Sequence, residues 1–219
     1  MRCAAIVVAG GSGQRFGGPK QFALIGRRTV AATSVAACRS VADQVVLVVP
    51  RGSQAEHNGA DVVVEGGATR SESVRAGLEA VAADAEIIVI HDAARPLASE
   101  RLFFSVVAAL GEEGIDAAIT GVEVTDTIKV VDSTGDRVYV TTTLDRSQLV
   151  AVQTPQAFRA PVLRSAHEGD PEATDDAALV ERIGGSVVVV PGEQGNLKIT
   201  VPKDLAVVEQ MLNASEQAR

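Results

Sequence analysis

Residues 4–21 read Ala4-Ala5-Ile6-Val7-Val8-Ala9-Gly10-Gly11-Ser12-Gly13-Gln14-Arg15-Phe16-Gly17-Gly18-Pro19-Lys20-Gln21. The opening apolar run, up to Val8, suits a short strand buried on both faces. It empties into a glycine-rich loop that carries two cations, Arg15 and Lys20. Glycines let backbone N–H groups approach an oxyanion closely, and the cations offset its charge. The stretch therefore reads as the first strand of a parallel sheet followed by a site for a polyphosphate.

Two familiar phosphate loops do not fit. A dinucleotide fingerprint begun at Gly11 needs a third glycine at position 16, which is Phe16. A P-loop begun at Gly13 reaches Gly18 with the right spacing, but Pro19 follows where that loop needs a lysine and a backbone donor. No Ser or Thr is placed to hold a metal. The bland alternative is a strand-to-helix turn with no ligand, but two cations within six residues of three glycines exceed what a turn requires.

Outward from this stretch, strand-like runs alternate with helix-like ones. Ala4–Val8, Gln44–Val49, Asp61–Val64, Glu86–Ile90 and Ala117–Val122 are short and nearly continuous in hydrophobicity. Helical spacing falls at Val30–Cys38, Ser71–Ala82 and Ser99–Leu110, the last with Ser99 as its N-cap. The alternation predicts an α/β fold, a doubly wound, mostly parallel sheet with right-handed crossovers. After residue 122 the pattern changes. Asp126–Val131 and Arg137–Thr143 flank Asp132-Ser133-Thr134-Gly135-Asp136 and predict a β-hairpin. An isolated hairpin is marginally stable, so it needs a packing partner, with a second subunit as the candidate. A strand at Val150–Gln153, helices at Pro161–His167 and Asp175–Arg182, a strand at Val187–Val190 and a helix at Pro202–Leu212 complete one domain over 1–219, with the protruding arm at about 123–146.

The chain has 219 residues, 46% hydrophobic and 22% charged, an ordinary globular composition with a substantial core. Its formal net charge of −8 argues against a nucleic-acid partner, which a basic face would mark. Aromatics are 3%, with no Trp, so stacking platforms for single strands are not expected. Cys3 and Cys38 lie far apart in apolar segments and read as reduced core residues. No signal segment and no run of membrane-spanning length are seen, so the expected location is cytoplasmic, with no membrane partner.

Ligands of open parallel sheets bind beyond the carboxyl ends of the strands. The polar residues expected there are the glycine loop, then Gly66-Gly67-Ala68-Thr69-Arg70-Ser71-Glu72-Ser73, then His91-Asp92-Ala93-Ala94-Arg95-Pro96. An ionisable cluster ending a buried strand is costly unless it is used or paired. Asp92 suits a metal or a sugar hydroxyl, and Arg95 suits a phosphate. A local pair among the three is the alternative, and for His91 strand-end hydrogen bonding is preferred. Lys198 is expected in a short strand near the sheet's end. Thr174-Asp175-Asp176 reads as a helix N-cap, with Thr174 also able to touch ligand. His57 and His167 fall in polar loops and receive no role.

These motifs, together with Asp126-Thr127-Ile128-Lys129, Asp145-Arg146, Gln153-Thr154-Pro155-Gln156 and Asn196-Leu197-Lys198-Ile199-Thr200, occur in one order along residues 1 to about 212. In that order the chain closely resembles the 2-C-methyl-D-erythritol 4-phosphate cytidylyltransferases of non-mevalonate isoprenoid synthesis. The glycine loop is common to nucleotidyltransferases at large, whereas residues 91–96 with 153–156 are much more specific. The resemblance implies a Rossmann-like nucleotidyltransferase fold, a hairpin arm used for dimerisation, and Mg²⁺. It implies transfer of CMP from CTP to methylerythritol phosphate with release of pyrophosphate. By matched position, Arg15 and Lys20 would stabilise the α-phosphate, and Ala9, Gly10, Gly11 and Gly13 would line the CTP site. Gly66, Gly67 and Ser73 would read cytosine, with Asp92 and Ala93 by the ribose and metal. Arg95, Thr127, Arg146, Thr174 and Lys198 would form the acceptor site, Arg146 and Lys198 aiming the attacking phosphate. In this family the arm embraces a partner, so Thr127 and Arg146 would serve the neighbouring subunit of a homodimer. Three departures stand out: Gly10 where Ala is common, a short span from Arg15 to Lys20, and Ala68 where some members carry a polar residue. Ribitol 5-phosphate cytidylyltransferases share nearly the same motifs and remain the alternative. A non-catalytic nucleotide-binding module would have lost a catalytic cation, yet Arg15, Lys20 and Lys198 are all present. A dehydrogenase fails on Phe16 and on the missing acidic residue about 20 positions beyond the loop.

Overall fold

The structure is a computed structural model that describes residues 2–53 and 58–217. His57 lies outside the described residues. The strands are β1 (Cys3–Val8), β2 (Leu24–Ile25), β3 (Arg28–Thr29), β4 (Gln44–Val49), β5 (Val62–Glu65), β6 (Ile87–Asp92), β7 (Ala117–Glu123), β8 (Lys129–Thr134), β9 (Arg137–Thr143), β10 (Val150–Arg159) and β11 (Val187–Pro191). The helices are α1 (Val30–Cys38), α2 (Arg70–Ala80), α3 (Glu100–Ala109), α4 (Ala160–Ala166), α5 (Asp176–Arg182) and α6 (Pro202–Gln217).

Seven strands form one sheet in the order β11-β7-β10-β6-β1-β4-β5. All its pairings are parallel except those of β10, which runs antiparallel to both β6 and β7. Alternation within β1 sorts side chains onto two faces. Ala5 and Val7 join Val35 of α1 and Phe103 and Val106 of α3, whereas Ala4 and Ile6 join Val74 and Leu78 of α2, Leu163 of α4 and Leu179 of α5. The sheet is thus covered on both sides, as its continuous apolar strands require. β4 lies on one side of β1 and β6 on the other, so the chain reverses its direction of winding at β1. The crevice at such a reversal, outside the carboxyl ends of the strands, is where ligands of these sheets sit.

Several boundaries differ from the sequence expectations, each for a local reason. β6 extends through His91 and Asp92, which pair in register with Val7 and Val8 of β1. They are therefore the end of the strand rather than the start of a loop. β10 continues past Gln153, through a register shift at Gln153/Gln156 and a cis Thr154–Pro155 bond, to Arg159. The arm pairs Thr134 with Arg137, leaving Gly135-Asp136 as a two-residue turn. Its first strand is consequently shifted towards the tip from the expected Asp126–Val131. Ser99 occupies the N-cap position of α3, but its hydroxyl is given to Glu193 at 2.6 Å and not to the helix. Asp175 caps α5 by accepting from the Ala178 N–H at 3.0 Å. Residues 195–200 form no strand, so Lys198 lies in coil, where Ile199 N–H bonds the Ala94 carbonyl at 2.8 Å. Cys3 and Cys38 are buried and free, and burial pushes the Cys3 thiol up to about 12. Among the described residues no helix is long and apolar enough to cross a membrane.

α2 carries the first turn of the site and is pressed hard against the sheet. A Cβ at Gly77 would lie 2.6 Å from Ile6 Cγ2 and 3.1 Å from Val48 Cγ2, both on fully buried side chains. In an open helix, Gly→Ala gains about 1 kcal/mol of helix propensity. Here overpacking, at about 1–3 kcal/mol, outweighs it. Gly77→Ala should therefore lower the urea unfolding midpoint; a raised midpoint would show that α2 is free to lift from the sheet.

Candidate active site

The loop after β1 is shaped by its own backbone. The Gly13 carbonyl accepts from Phe16, Gly17 and Gly18 N–H groups at 2.9, 3.0 and 3.2 Å. Gly13 has φ +68°, and a Cβ there would fall 1.8 Å from the Gly18 carbonyl oxygen. Only glycine fits a turn closed this tightly. Gln21, buried, donates its Nε2 to the Gly11 carbonyl at 3.2 Å and fixes the loop's entry. Ser73, on the first turn of α2, sits between two glycines: Cβ atoms at Gly10 and Gly66 would lie 2.9 and 2.6 Å from its Oγ. Thr69 caps α2 by accepting from Glu72 N–H at 3.1 Å.

These elements enclose a cleft of about 760 Å³. Ala9, Gly10, Gly11, Gly13, Arg15, Lys20, Gly67, Ser73, Asp92, Ala93 and Lys198 all line it. Gly66 stands behind Ser73. A second cavity of about 300 Å³ adjoins it and is lined by Arg95, Thr174 and Lys198. Thr127 and Arg146 line neither cavity; Arg146 is exposed at the base of the arm and donates to the Thr125 carbonyl. The two expected halves of the site are thus adjacent in one chain, and the two arm residues stand apart from both.

Charge in the cleft is lopsided. Arg15, Lys20, Arg70 and Lys198 face it, and Asp92 is the one carboxylate among its described lining residues. Burial lowers the Lys20 pKa, reinforced by Lys198, while its ammonium is held by the Ile199 carbonyl. Asp92 Oδ2 meets Lys198 Nζ at 2.6 Å, and Oδ1 lies 3.6 Å from Arg70 Nε. Burial opposes ionisation of Asp92, but Lys198 and Arg70 overcome it and hold the carboxyl well below the usual range. Arg95 donates to the Asn196 carbonyl at 2.8 Å, and Asn196 Nδ2 in turn bonds the Thr154 carbonyl at 2.9 Å. Sequence reading missed Arg70, Gln21 and Asn196. All three lie inside quoted motifs, but their partners are visible only in three dimensions.

His91 behaves as expected, bonded at its strand end. Its Nε2 faces the Arg95 carbonyl at 3.2 Å, which can only accept, so Nε2 carries the proton. Nδ1 then accepts from Thr154 Oγ1 at 3.1 Å, and that hydroxyl accepts from Asp92 N–H at 3.0 Å. Burial lowers the His91 pKa to about 4. His167 is not in a polar loop: it is buried at the end of α4, with Nε2 3.1 Å from Asp176 Oδ1. For His91 the folded pKa lies below the unfolded one, so between about pH 6.5 and 4 the unfolded chain binds the extra proton and acid favours unfolding. Urea-derived stability should fall as pH drops through this window, and nitrogen-detected NMR should find His91 as the Nε2–H tautomer at about pH 6. An imidazolium signal at that pH would contradict this bonding scheme.

The family model for 2-C-methyl-D-erythritol 4-phosphate cytidylyltransferase matches residues 3–214. A protein of that name from Rubrobacter xylanophilus is 44% identical over 226 residues, covering 97% of this chain and 96% of the relative. A "Bifunctional enzyme IspD/IspF" from Anaeromyxobacter sp. is also 44% identical, but this chain spans 58% of its length. The crystal structure of the cytidylyltransferase from Thermus thermophilus superposes with a TM-score of 0.80 at 34% identity, covering 96% of this chain and 98% of that one. The chain belongs to the 2-C-methyl-D-erythritol 4-phosphate cytidylyltransferase family.

Proposed function

We propose that this chain transfers CMP from CTP to the phosphate of 2-C-methyl-D-erythritol 4-phosphate, releasing pyrophosphate. The observation that carries the reading is the convergence of Arg15, Lys20 and Lys198 on a cleft where Asp92, the one carboxylate among its described lining residues, is already ion-paired. The nucleophile is an ionised phosphate oxygen, so no general base is needed. That suits a site where His91, at the end of β6, has both ring nitrogens engaged. The barrier is the approach of one anion to another, and fixed cations lower it. In this reading the triphosphate lies along the Gly10–Gly13 loop, Arg15 and Lys20 face the α-phosphate, and Ser73 and Gly67 bound the base, with Gly66 packed behind Ser73. Asp92 and Ala93 stand by the ribose. The acceptor occupies the cavity of Arg95, Thr174 and Lys198.

Mg²⁺ fits as an ion brought with the nucleotide. No group of three or more His, Cys, Asp or Glu side chains able to hold a metal lies together among the described residues. Asp92 Oδ1, which Arg70 Nε approaches only to 3.6 Å, is the oxygen the protein can offer. Mg²⁺ bound chiefly by phosphate oxygens and water needs no more than one or two carboxylates. When bound it would offset triphosphate charge. Pyrophosphate release from CTP and Mg²⁺ should depend on methylerythritol phosphate and be much slower with ribitol 5-phosphate; faster release with ribitol 5-phosphate would overturn the acceptor assignment. Lys20→Ala should lower kcat by about two to three orders of magnitude with the fold intact.

A homodimer completes this reading. Among the described residues the arm's two strands pair only with each other, and Val131, Val138, Tyr139 and Val140 stand exposed on it, Val138 at 65%. A two-stranded arm with so much exposed apolar surface suits a subunit partner. Thr127 and Arg146 would then enter the partner's acceptor cavity. Mixing Arg146→Ala with Lys20→Ala protein should restore about a quarter of wild-type activity, because half the dimers are mixed and each holds one intact site of two. Failure to recover despite verified subunit exchange would place Arg146 in its own chain's chemistry or outside it.

A further inference from the structure

Three side chains, Arg70, Asp92 and Lys198, line both the larger cleft and the smaller cavity. They form a chain of charge. Arg70 is the first residue of α2, and its Nη1 meets Asp176 Oδ2 at 2.7 Å. Asp176 is 1% exposed and is held from its other oxygen by His167, so this end of Arg70 is anchored. The other edge of the guanidinium turns Nε towards Asp92 Oδ1, and Asp92 Oδ2 holds Lys198. The two cations flanking Asp92 differ in freedom. Arg70 is 25% exposed and anchored by its 2.7 Å bond to Asp176, whereas the Lys198 side chain is 44% exposed on a segment of coil.

Resting on the transfer reaction proposed above, we propose that Arg70 is a positioning residue that keeps Asp92 neutralised and in place while Lys198 moves from Asp92 to the phosphates. A lysine paired with a lone, buried carboxylate is difficult to detach, because the anion left behind has lost its partner. A second cation on the same carboxylate lowers that penalty and leaves Asp92 where the ribose and metal need it. Lysine at position 70 could satisfy Asp176 with one ammonium, but it lacks the planar fork that addresses two carboxylates at once.

The test separates this role from simple support of Asp176. Arg70→Lys should keep an unfolding midpoint near wild type, lower kcat by about tenfold and leave the KM for CTP within about twofold. Full kcat together with wild-type stability would overturn the proposal. Arg70→Lys combined with Asp92→Asn, which keeps a cation on Asp176 and in the cleft, should be no slower than Asp92→Asn alone, since Arg70 acts through Asp92; multiplied losses would show an independent role and overturn it. One readout needs no reaction. In nucleotide-free protein, acylation of Lys198 by a small reagent, followed by mass spectrometry, should slow by about threefold or more in Arg70→Lys, because Asp92 then holds Lys198 alone. Unchanged labelling would sink the charge-sharing idea whether or not CMP transfer is found. Slower labelling in a protein that transfers nothing would keep the charge sharing and refute the reaction.

Discussion

Asp92 is a carboxylate at the end of a buried central strand, and it is tolerable there only because cations reach it from two other parts of the chain. Isolated burial of such a charge would cost several kcal/mol. Lys198 arrives from the segment before α6 and Arg70 from the start of α2, 106 and 22 residues away in sequence. Each is placed by packing rather than by the ion pair. α2 is pressed onto the sheet at Gly77, and the Lys198 segment is pinned by the Ile199–Ala94 hydrogen bond and by the Ile199 side chain, buried with Ile25, Val30 and Val208. The site therefore inherits its geometry from the hydrophobic layers beneath it. A shift of α2 or of the α6 approach would leave Asp92 short of one cation.

The same dependence explains why the cations face a cleft instead of being quenched by neighbouring carboxylates. Lys20 is fixed by a backbone carbonyl, which orients an ammonium without cancelling its charge. Gln21 and Gly13 stiffen the glycine loop with neutral groups. Only Asp92 offsets charge within the described lining, and it is shared. Positive potential is thus preorganised, so an arriving polyanion finds donors already aimed and little reorganisation is required. The neutral, doubly bonded His91 belongs to this scaffold, because its link through Thr154 holds the Asp92 amide and ties β6 to β10.

Much of this was legible in the sequence because it is local. Continuous apolar runs bounded by glycine or polar residues identified β1, β4, β6 and β7, and the cations of the first loop announced an anion site. The resemblance carried by residues 91–96 and 153–156 pointed to the family. Features set by distant contacts were not legible. The expected strand at Val150–Gln153 stops short because Thr154-Pro155-Gln156 reads as a break, whereas the structure absorbs it in a register shift and resumes pairing with β6 and β7. Ser99 reads as a cap because the sequence cannot reveal Glu193 as a competing acceptor. His167 reads as a polar-loop residue because its buried partner, Asp176, belongs to a helix start in the sequence and to Arg70 in space. Arg70 itself lies inside a motif yet has no role in the sequence reading for the same reason.

An acidic chain proposed to hold a polyanion presents no contradiction once distance is considered. The formal charge of −8 is a sum over the whole chain, and in physiological salt exposed charges fade beyond about 8 Å. Within the cleft the charges are closer and partly desolvated, so screening is weaker there and the four cations dominate. The overall acidity bears on encounter, since it gives an approaching anion no long-range attraction. In the proposed reaction, selectivity for a small anion would follow from this division: a local well of positive potential, in the space between the Gly10–Gly13 loop, α2 and the end of β6.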